Sequence, residues 1–172
     1  MKKILGISGS ASQDSSNTRL LQAIASSFSE SFDFRVYDGL STLPLFTPEL
    51  QGLGVPEEVK NLKAQVQWAD AVIISTPEYL HNVHAVLKNA LEWMTESGEL
   101  AHKPVLPITF TPAAPRGEYA MISLLQSLKA SKAKVVAELS LYRNELTSNS
   151  DQIEFITADM DLLREAMRLL SC

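Results

Sequence analysis

Two stretches of this chain concentrate side chains that could do chemistry. The first, Gly9-Ser-Ala-Ser-Gln-Asp-Ser-Ser-Asn17, sets hydroxyls at Ser10, Ser12, Ser15 and Ser16 between a glycine and Asn17. Small residues let a backbone approach a ligand closely, hydroxyls donate to anionic oxygens, and a helix starting at the end of such a loop adds free amides and about half a positive charge. Those are the requirements of a phosphate cradle. The same string also reads as a polar turn with Asn17 as the N-cap of a helix. It has neither the Gly-Lys-Ser/Thr ending of a P-loop nor the Gly-x-Gly-x-x-Gly of a dinucleotide fold, so it suits a single phosphate.

The second stretch, Thr76-Pro-Glu-Tyr-Leu-His-Asn-Val-His84, carries a carboxylate and two histidines in a short gap after an apolar run. His81 and His84 are three apart and would share a face if the following helix began early. As metal ligands they lack a third partner, because His102 lies in another segment and the only cysteine is Cys172. No metal site is expected. Glu78 could serve as a general base, but no paired acid accompanies it, and a solvated loop carboxylate or an intersubunit ion pair is the favoured reading.

These loops must be held by something. Five apolar runs, Ile4–Ser8, Phe34–Tyr37, Ala71–Thr76, Val105–Phe110 and Lys134–Leu141, lack strict alternation, as strands covered on both faces do. Between them helical stripes recur: Leu21, Ile24, Ala25, Phe28 and Phe32; Val59, Leu62 and Val66; Val86, Leu87, Ala90, Leu91 and Met94; Ile122, Leu125 and Leu128. A last stripe, Met160, Leu163, Met167 and Leu170, follows a turn expected at Ser148–Asp151. Strands alternating with helices imply right-handed crossovers and a parallel, doubly wound sheet. Residues 1–172 read as one domain, with Asp38–Val55 as a long loop. In such a sheet ligands bind beyond the carboxyl ends of the strands, where the two stretches fall.

Composition narrows the partners. With a net charge of −5 and no cluster of Lys or Arg, the chain has no face suited to nucleic acid. One cysteine permits no intrachain disulfide, and no apolar run approaches the ~20 residues of a bilayer span, so a cytoplasmic protein without a membrane partner is expected. Trp93, Met94 and the apolar residues at 86, 87, 90 and 91 cover more than one side of their helix, which fits either a monomer core or a second subunit.

Gly9-Ser10…Ser15-Ser16-Asn17 together with Thr76-Pro77-Glu78-Tyr79…Val86-Leu87-Lys88-Asn89-Ala90-Leu91-Glu92-Trp93 resembles the NADPH-dependent FMN reductases, the flavodoxin-like group that contains quinone, chromate and azo-dye reductases. Leu43-Pro44-Leu45-Phe46 is similar too, and the likeness runs from Lys3 to about Leu141. It implies an α/β flavodoxin-like three-layer sandwich with a five-stranded parallel sheet of order 2-1-3-4-5 and helices on both faces. It implies FMN as cofactor and NAD(P)H as co-substrate, with electrons passing to a small-molecule acceptor: a quinone, azo compound, nitroaromatic, metal oxyanion or free flavin. Ser10, Ser12, Ser15, Ser16 and Asn17 would hold the FMN phosphate. Pro77, Glu78, Tyr79 and Leu80 would lie along the ring, and Thr111 and Gly117 would belong to a third loop closing over it. The flavin carries the chemistry, so no catalytic side chain is assigned. A homodimer or homotetramer is implied as well.

The chain departs from that pattern at named places. Ser12 stands where the family usually has Arg, leaving charge neutralisation to hydroxyls, amides and the helix dipole, so weaker FMN binding is expected. Leu80, Asn82 and His84 replace a favoured Asn, Ser and Pro, and Arg116-Gly117 replaces a Gly pair. These departures keep two other readings open, a flavodoxin-like electron carrier and a flavin-weak interaction module. No 2′-phosphate site is recognisable, so NADH and NADPH are both retained.

Overall fold

The computed structural model describes residues 1–145, 147–149 and 152–171. Strands β1 (Lys2–Ser8), β2 (Phe32–Tyr37), β3 (Ala71–Thr76) and β6 (Pro104–Thr111) run parallel in the order β2-β1-β3-β6, with β7 (Lys134–Val135) and β8 (Leu139–Tyr142) both pairing with β6. Ile7 sits opposite Tyr37 on one side and Ile74 on the other. Among the described residues the sheet therefore has six parallel strands in five positions. The expected fifth strand is split by a bulge: Val135 pairs with Val105 and Leu139 with Ile108, so residues 136–138 face only 106–107.

Alternate residues of each strand feed two cores. Leu5, Ile7, Val72 and Ile74 pack with residues of α3 (Glu57–Trp68), α4 (Ala85–Thr95) and α5 (Glu118–Ala130). Ile4, Ile73, Leu106 and Ile108 pack with α1 (Ser16–Ser27) and α6 (Thr157–Ser171). Every residue of β3 is buried, as a central strand between two helical layers requires. This is the three-layer, flavodoxin-like arrangement.

The structure corrects several local expectations. Ser15, not Asn17, caps α1: its Oγ accepts from the Asn17 amide at 3.1 Å, and Asn17 is the second helical residue. The stripe from Leu21 to Phe32 outlasts its helix, which ends at Ser27; Phe32 opens β2 and meets Phe28 edge to face at 6.4 Å. Both rings pack on the same core, so the apolar period carries on through the turn. Asp38–Val55 is not wholly loop, since Gly39–Thr42 forms a 3-10 turn and Pro48–Leu53 forms α2. The Thr47 hydroxyl accepts from the Leu50 amide at 3.1 Å and Pro48 fills the first turn, which makes a short capped helix. Of the turn expected at Ser148–Asp151, Ser148 and Asn149 lie in β9 (Thr147–Asn149), antiparallel to β10 (Gln152–Glu154); residues 150 and 151 lie outside the described residues, as does Cys172.

Trp93 is wholly buried on α4, and its indole N–H donates to the Pro44 carbonyl at 2.8 Å while its ring meets Phe46 edge to face at 5.1 Å. Asn89 reinforces this, donating to the same carbonyl and accepting from the Phe46 amide. The second apolar side of α4 thus serves the Leu43–Phe46 segment of its own chain.

Candidate functional site

The first loop is fixed by a buried polar seam. The Gly9 amide donates to the Ser75 carbonyl at 2.7 Å, and a Cβ at Gly9 would lie 2.9 Å from that oxygen and 3.0 Å from Leu87 Cδ2. Only glycine lets the loop start this close to β3. The Thr18 hydroxyl donates to Ser8 Oγ at 2.8 Å, and the Ser75 hydroxyl donates to Asn17 Oδ1 at 2.7 Å. Asn17 is therefore the strut that ties the first turn of α1 to the end of β3. Ser15 satisfies one amide of that turn, leaving those of Ser16 and Thr18 without an intrahelical acceptor.

After β3 the chain forms a tight hairpin, β4 (Glu78–Tyr79) against β5 (Asn82–Val83), with Leu80 and His81 at its tip in left-handed conformations, φ 49° and 55°. Both positions of a turn of this kind favour Asn or Gly. Leu80 is 99% exposed there. Leu80→Asn should therefore raise the stability of the isolated chain by about 0.5–1 kcal/mol, read as a higher urea midpoint; a lower midpoint would refute a strained tip.

Glu78 is neither a free loop carboxylate nor a poised base. One of its oxygens accepts from the amides of Gly117 at 3.1 Å and Ala120 at 3.0 Å, capping α5, whose own N-cap residue, Gly117, has no side chain to do so. Its other oxygen lies 3.6 Å from His81 Nδ1, and the His81 ring rests edge-on against Tyr119. Hairpin and α5 are thereby clasped together.

His81 and His84 do not share a helical face, because α4 begins only at Ala85. His84 is its N-cap: Nδ1 accepts from the Val86 amide at 3.3 Å, and the ring packs against Tyr79 at 5.1 Å. Burial holds the His84 pKa below the ordinary 6.5. The unfolded chain then takes up a proton more readily than the folded one. The contribution is complete above about pH 6.5 and is lost as the pH falls through the lowered folded value. Solvent reaches part of the ring and screens its charge, so the effect is small. Between pH 8 and 5 the wild type should lose roughly a few tenths of a kcal/mol relative to His84→Asn, whose amide caps at every pH. Parallel pH profiles of the thermal midpoint would contradict this.

The third loop follows β6. The Thr111 hydroxyl donates to the Arg116 carbonyl at 2.8 Å, and Gly117 turns the chain into α5 at φ 108°. The Asn144 amide donates to the Pro112 carbonyl at 3.2 Å, docking the turn after β8 on the same loop.

The three loops close on one cleft of about 350 Å³, within the range of small-ligand sites. Ser10, Ser12, Ser15, Ser16, Asn17, Pro77, Glu78, Tyr79 and Thr111 all line it. Leu80 does not, since it points to solvent from the hairpin tip, and Gly117 contributes only the backbone amide that Glu78 accepts. Sequence reasoning missed Arg19 and Arg143 and took Arg116 only as a departure; all three line the cleft. Of these, Arg19 follows the first loop on α1 and adds one guanidinium to the hydroxyls, amides and dipole expected there. Arg19 was legible in principle, being four residues past Ser15 and so on the same face of α1. At the first loop the donor set is serine hydroxyls, helix amides and one guanidinium, which fits a phosphomonoester. Among the described residues no three His, Cys, Asp or Glu side chains gather as a metal site, and no helix is long and apolar enough to cross a membrane.

Comparison with known proteins agrees with this geometry. The family model for NADPH-dependent FMN reductases matches residues 2–146. The NADH:(hydroxy)cinnamate reductase subunit CrdA of Vibrio ruber is 38% identical over 125 residues, 72% of this chain and 61% of that protein. The chain spans about half to three fifths of the length of the curated relatives it matches. In fold it is similar to the flavoenzyme NAD(P)H:(acceptor) oxidoreductase FerB of Paracoccus denitrificans, with a TM-score of 0.80 at 20% identity over 99% of this chain and 96% of that one. A mutant flavodoxin from Pseudomonas aeruginosa superposes with a TM-score of 0.64 at 11% identity over 99% of both chains. With the model covering most of the chain and the site loops within it, the chain belongs to the NADPH-dependent FMN reductase family.

Proposed function

We propose that the protein is an FMN-dependent NAD(P)H oxidoreductase that reduces small-molecule acceptors such as quinones, azo compounds or hydroxycinnamates, classes that appear in its relatives' names. The observation that carries this reading is the cleft itself. A phosphate-suited loop, Pro77–Tyr79 and Thr111 line one cleft, together with Arg116 and Arg143. Bound there, FMN would supply the redox chemistry, taking electrons from a nicotinamide and giving them to an acceptor that enters the same space afterwards. The protein's part is positional. Ser10, Ser12, Ser15, Ser16, Arg19 and the first-turn amides of α1 would hold the phosphate, and Pro77, Tyr79 and the hairpin backbone that Glu78 fixes would line the space for the ring.

Flavin titration with absorbance and fluorescence should give saturable FMN binding at micromolar concentrations, and the loaded protein should oxidise NADH or NADPH rapidly when a quinone is present. Absence of binding would refute the reading, and binding without NAD(P)H oxidation would favour an electron carrier. The exposed apolar side chains Tyr79, Leu80, Tyr119 and Ile122, on the hairpin and the start of α5, support a homodimer or homotetramer that covers them. Trp93 no longer bears on that question. A cytoplasmic location, where reduced nicotinamide is supplied, completes the proposal.

A further inference from the structure

The flavin reading leaves one part of the cleft without a task. Three arginines line it, yet among the described residues only Arg19 has a carboxylate partner, Asp14 at 3.6 Å. The other carboxylate lining the cleft, Glu78, is committed to the amides of Gly117 and Ala120 and to His81. Arg116 and Arg143 are thus two positive charges lining a concave site with no ion-pair partner within 4 Å among the described residues, in a chain whose net charge is −5. A cleft of one sign concentrates ligands of the other.

Their place along the sheet separates them from the phosphate loop. Arg116 follows β6 and Arg143 follows β8, two and three strand positions from β1, which is roughly 10 and 14 Å at ordinary strand spacing. The loop Ser10–Asn17 follows β1, so the arginine-bearing loops come after it in the order along the sheet. The backbone segments that carry them are tied together, because the Thr111 hydroxyl donates to the Arg116 carbonyl and the Asn144 amide donates to the Pro112 carbonyl. Guanidinium groups match carboxylate, sulfonate and phosphate by forked hydrogen bonds.

We propose that Arg116 and Arg143 form an anion subsite for the second reactant, selecting a nicotinamide or an electron acceptor that bears a phosphate, carboxylate or sulfonate. This rests on FMN occupying the rest of the cleft.

The test uses wild type, Arg116→Gln, Arg143→Gln and the double variant. FMN binding is followed by fluorescence, and kcat/KM is measured for NADH, NADPH, menadione and naphthoquinone-2-sulfonate, each varied in turn. Each substitution should lower kcat/KM for the anionic reactant about tenfold, mainly through KM, while menadione changes less than about twofold and the FMN Kd less than about threefold. Lysine at either position should recover part of the loss. A loss confined to NADPH assigns the subsite to the 2′-phosphate, one shared by both nicotinamides but neither quinone assigns it to the pyrophosphate, and one confined to the sulfonate assigns it to the acceptor. Unchanged kinetics, equal losses for charged and uncharged quinones, or a loss of FMN affinity overturns the subsite and leaves the flavin reading intact. Failure of the wild type to bind FMN overturns the flavin reading itself.

Discussion

Trp93→Ala is expected to cost about 3–5 kcal/mol of stability, the largest single effect foreseen in this chain. Trp93 is entirely out of water, and its N–H makes the shorter of the two side-chain hydrogen bonds to the Pro44 carbonyl. Removing it empties the space between α4 and the Leu43–Phe46 segment, takes away the ring that Phe46 packs on, and leaves Pro44 with Asn89 alone. For a chain of this length the thermal midpoint should fall by roughly 10 °C. Trp93→Phe keeps most of the buried area and loses only the hydrogen bond, so it should cost about 1 kcal/mol beyond the difference in packing. Equal losses in the two variants would show that the hydrogen bond, not the ring, holds the segment.

The second large effect is expected at Gly117→Ala. At φ 108° an L side chain is strained, and the new Cβ would lie 2.8 Å from Thr109 Oγ1 and 3.0 Å from Thr109 Cβ. Backbone strain and overpacking together should cost about 2–5 kcal/mol. Because the Gly117 amide is one of the two that Glu78 accepts, the cost is not confined to stability: the third loop and the hairpin shift together, and FMN affinity should fall about tenfold or more. Adding Thr109→Ala removes the Oγ1 contact but keeps the Cβ contact and the conformational part, and gives up the Thr109 hydrogen bond to Ser140, so the double variant should recover only part of the lost stability. No recovery would place the cost in φ and in the contact with Thr109 Cβ.

What could be read in the sequence was local. The apolar runs marked the strands, and the serine-rich loop announced itself because its hydroxyls are neighbours in the chain. Even there, local reasoning chose wrongly among Ser15, Ser16 and Asn17 as helix cap, since all three side chains are competent. The deciding fact is that Asn17 is engaged by Ser75, 58 residues away. Glu78 was misjudged for the same reason: its partners are 39 and 42 residues along the chain, on a helix start whose glycine gives no sign of needing a foreign cap. Arg143 had no signature at all. A lone arginine after an edge strand becomes part of a site only when β8 is laid beside β6. On α4 the two-sided apolar pattern left a monomer core and a second subunit open, and Trp93 lies in the chain's own core against the Leu43–Phe46 segment.

The clasp at Glu78 has a consequence for anyone recombining members of this family. The hairpin at 78–83 and the entry to α5 are far apart in sequence yet share one carboxylate. A chimera that imports the hairpin alone, with another residue at position 78, leaves two amides of α5 without an acceptor. The two segments are one cassette and must be exchanged together if a donor's substrate preference is to arrive with a folded cleft around it.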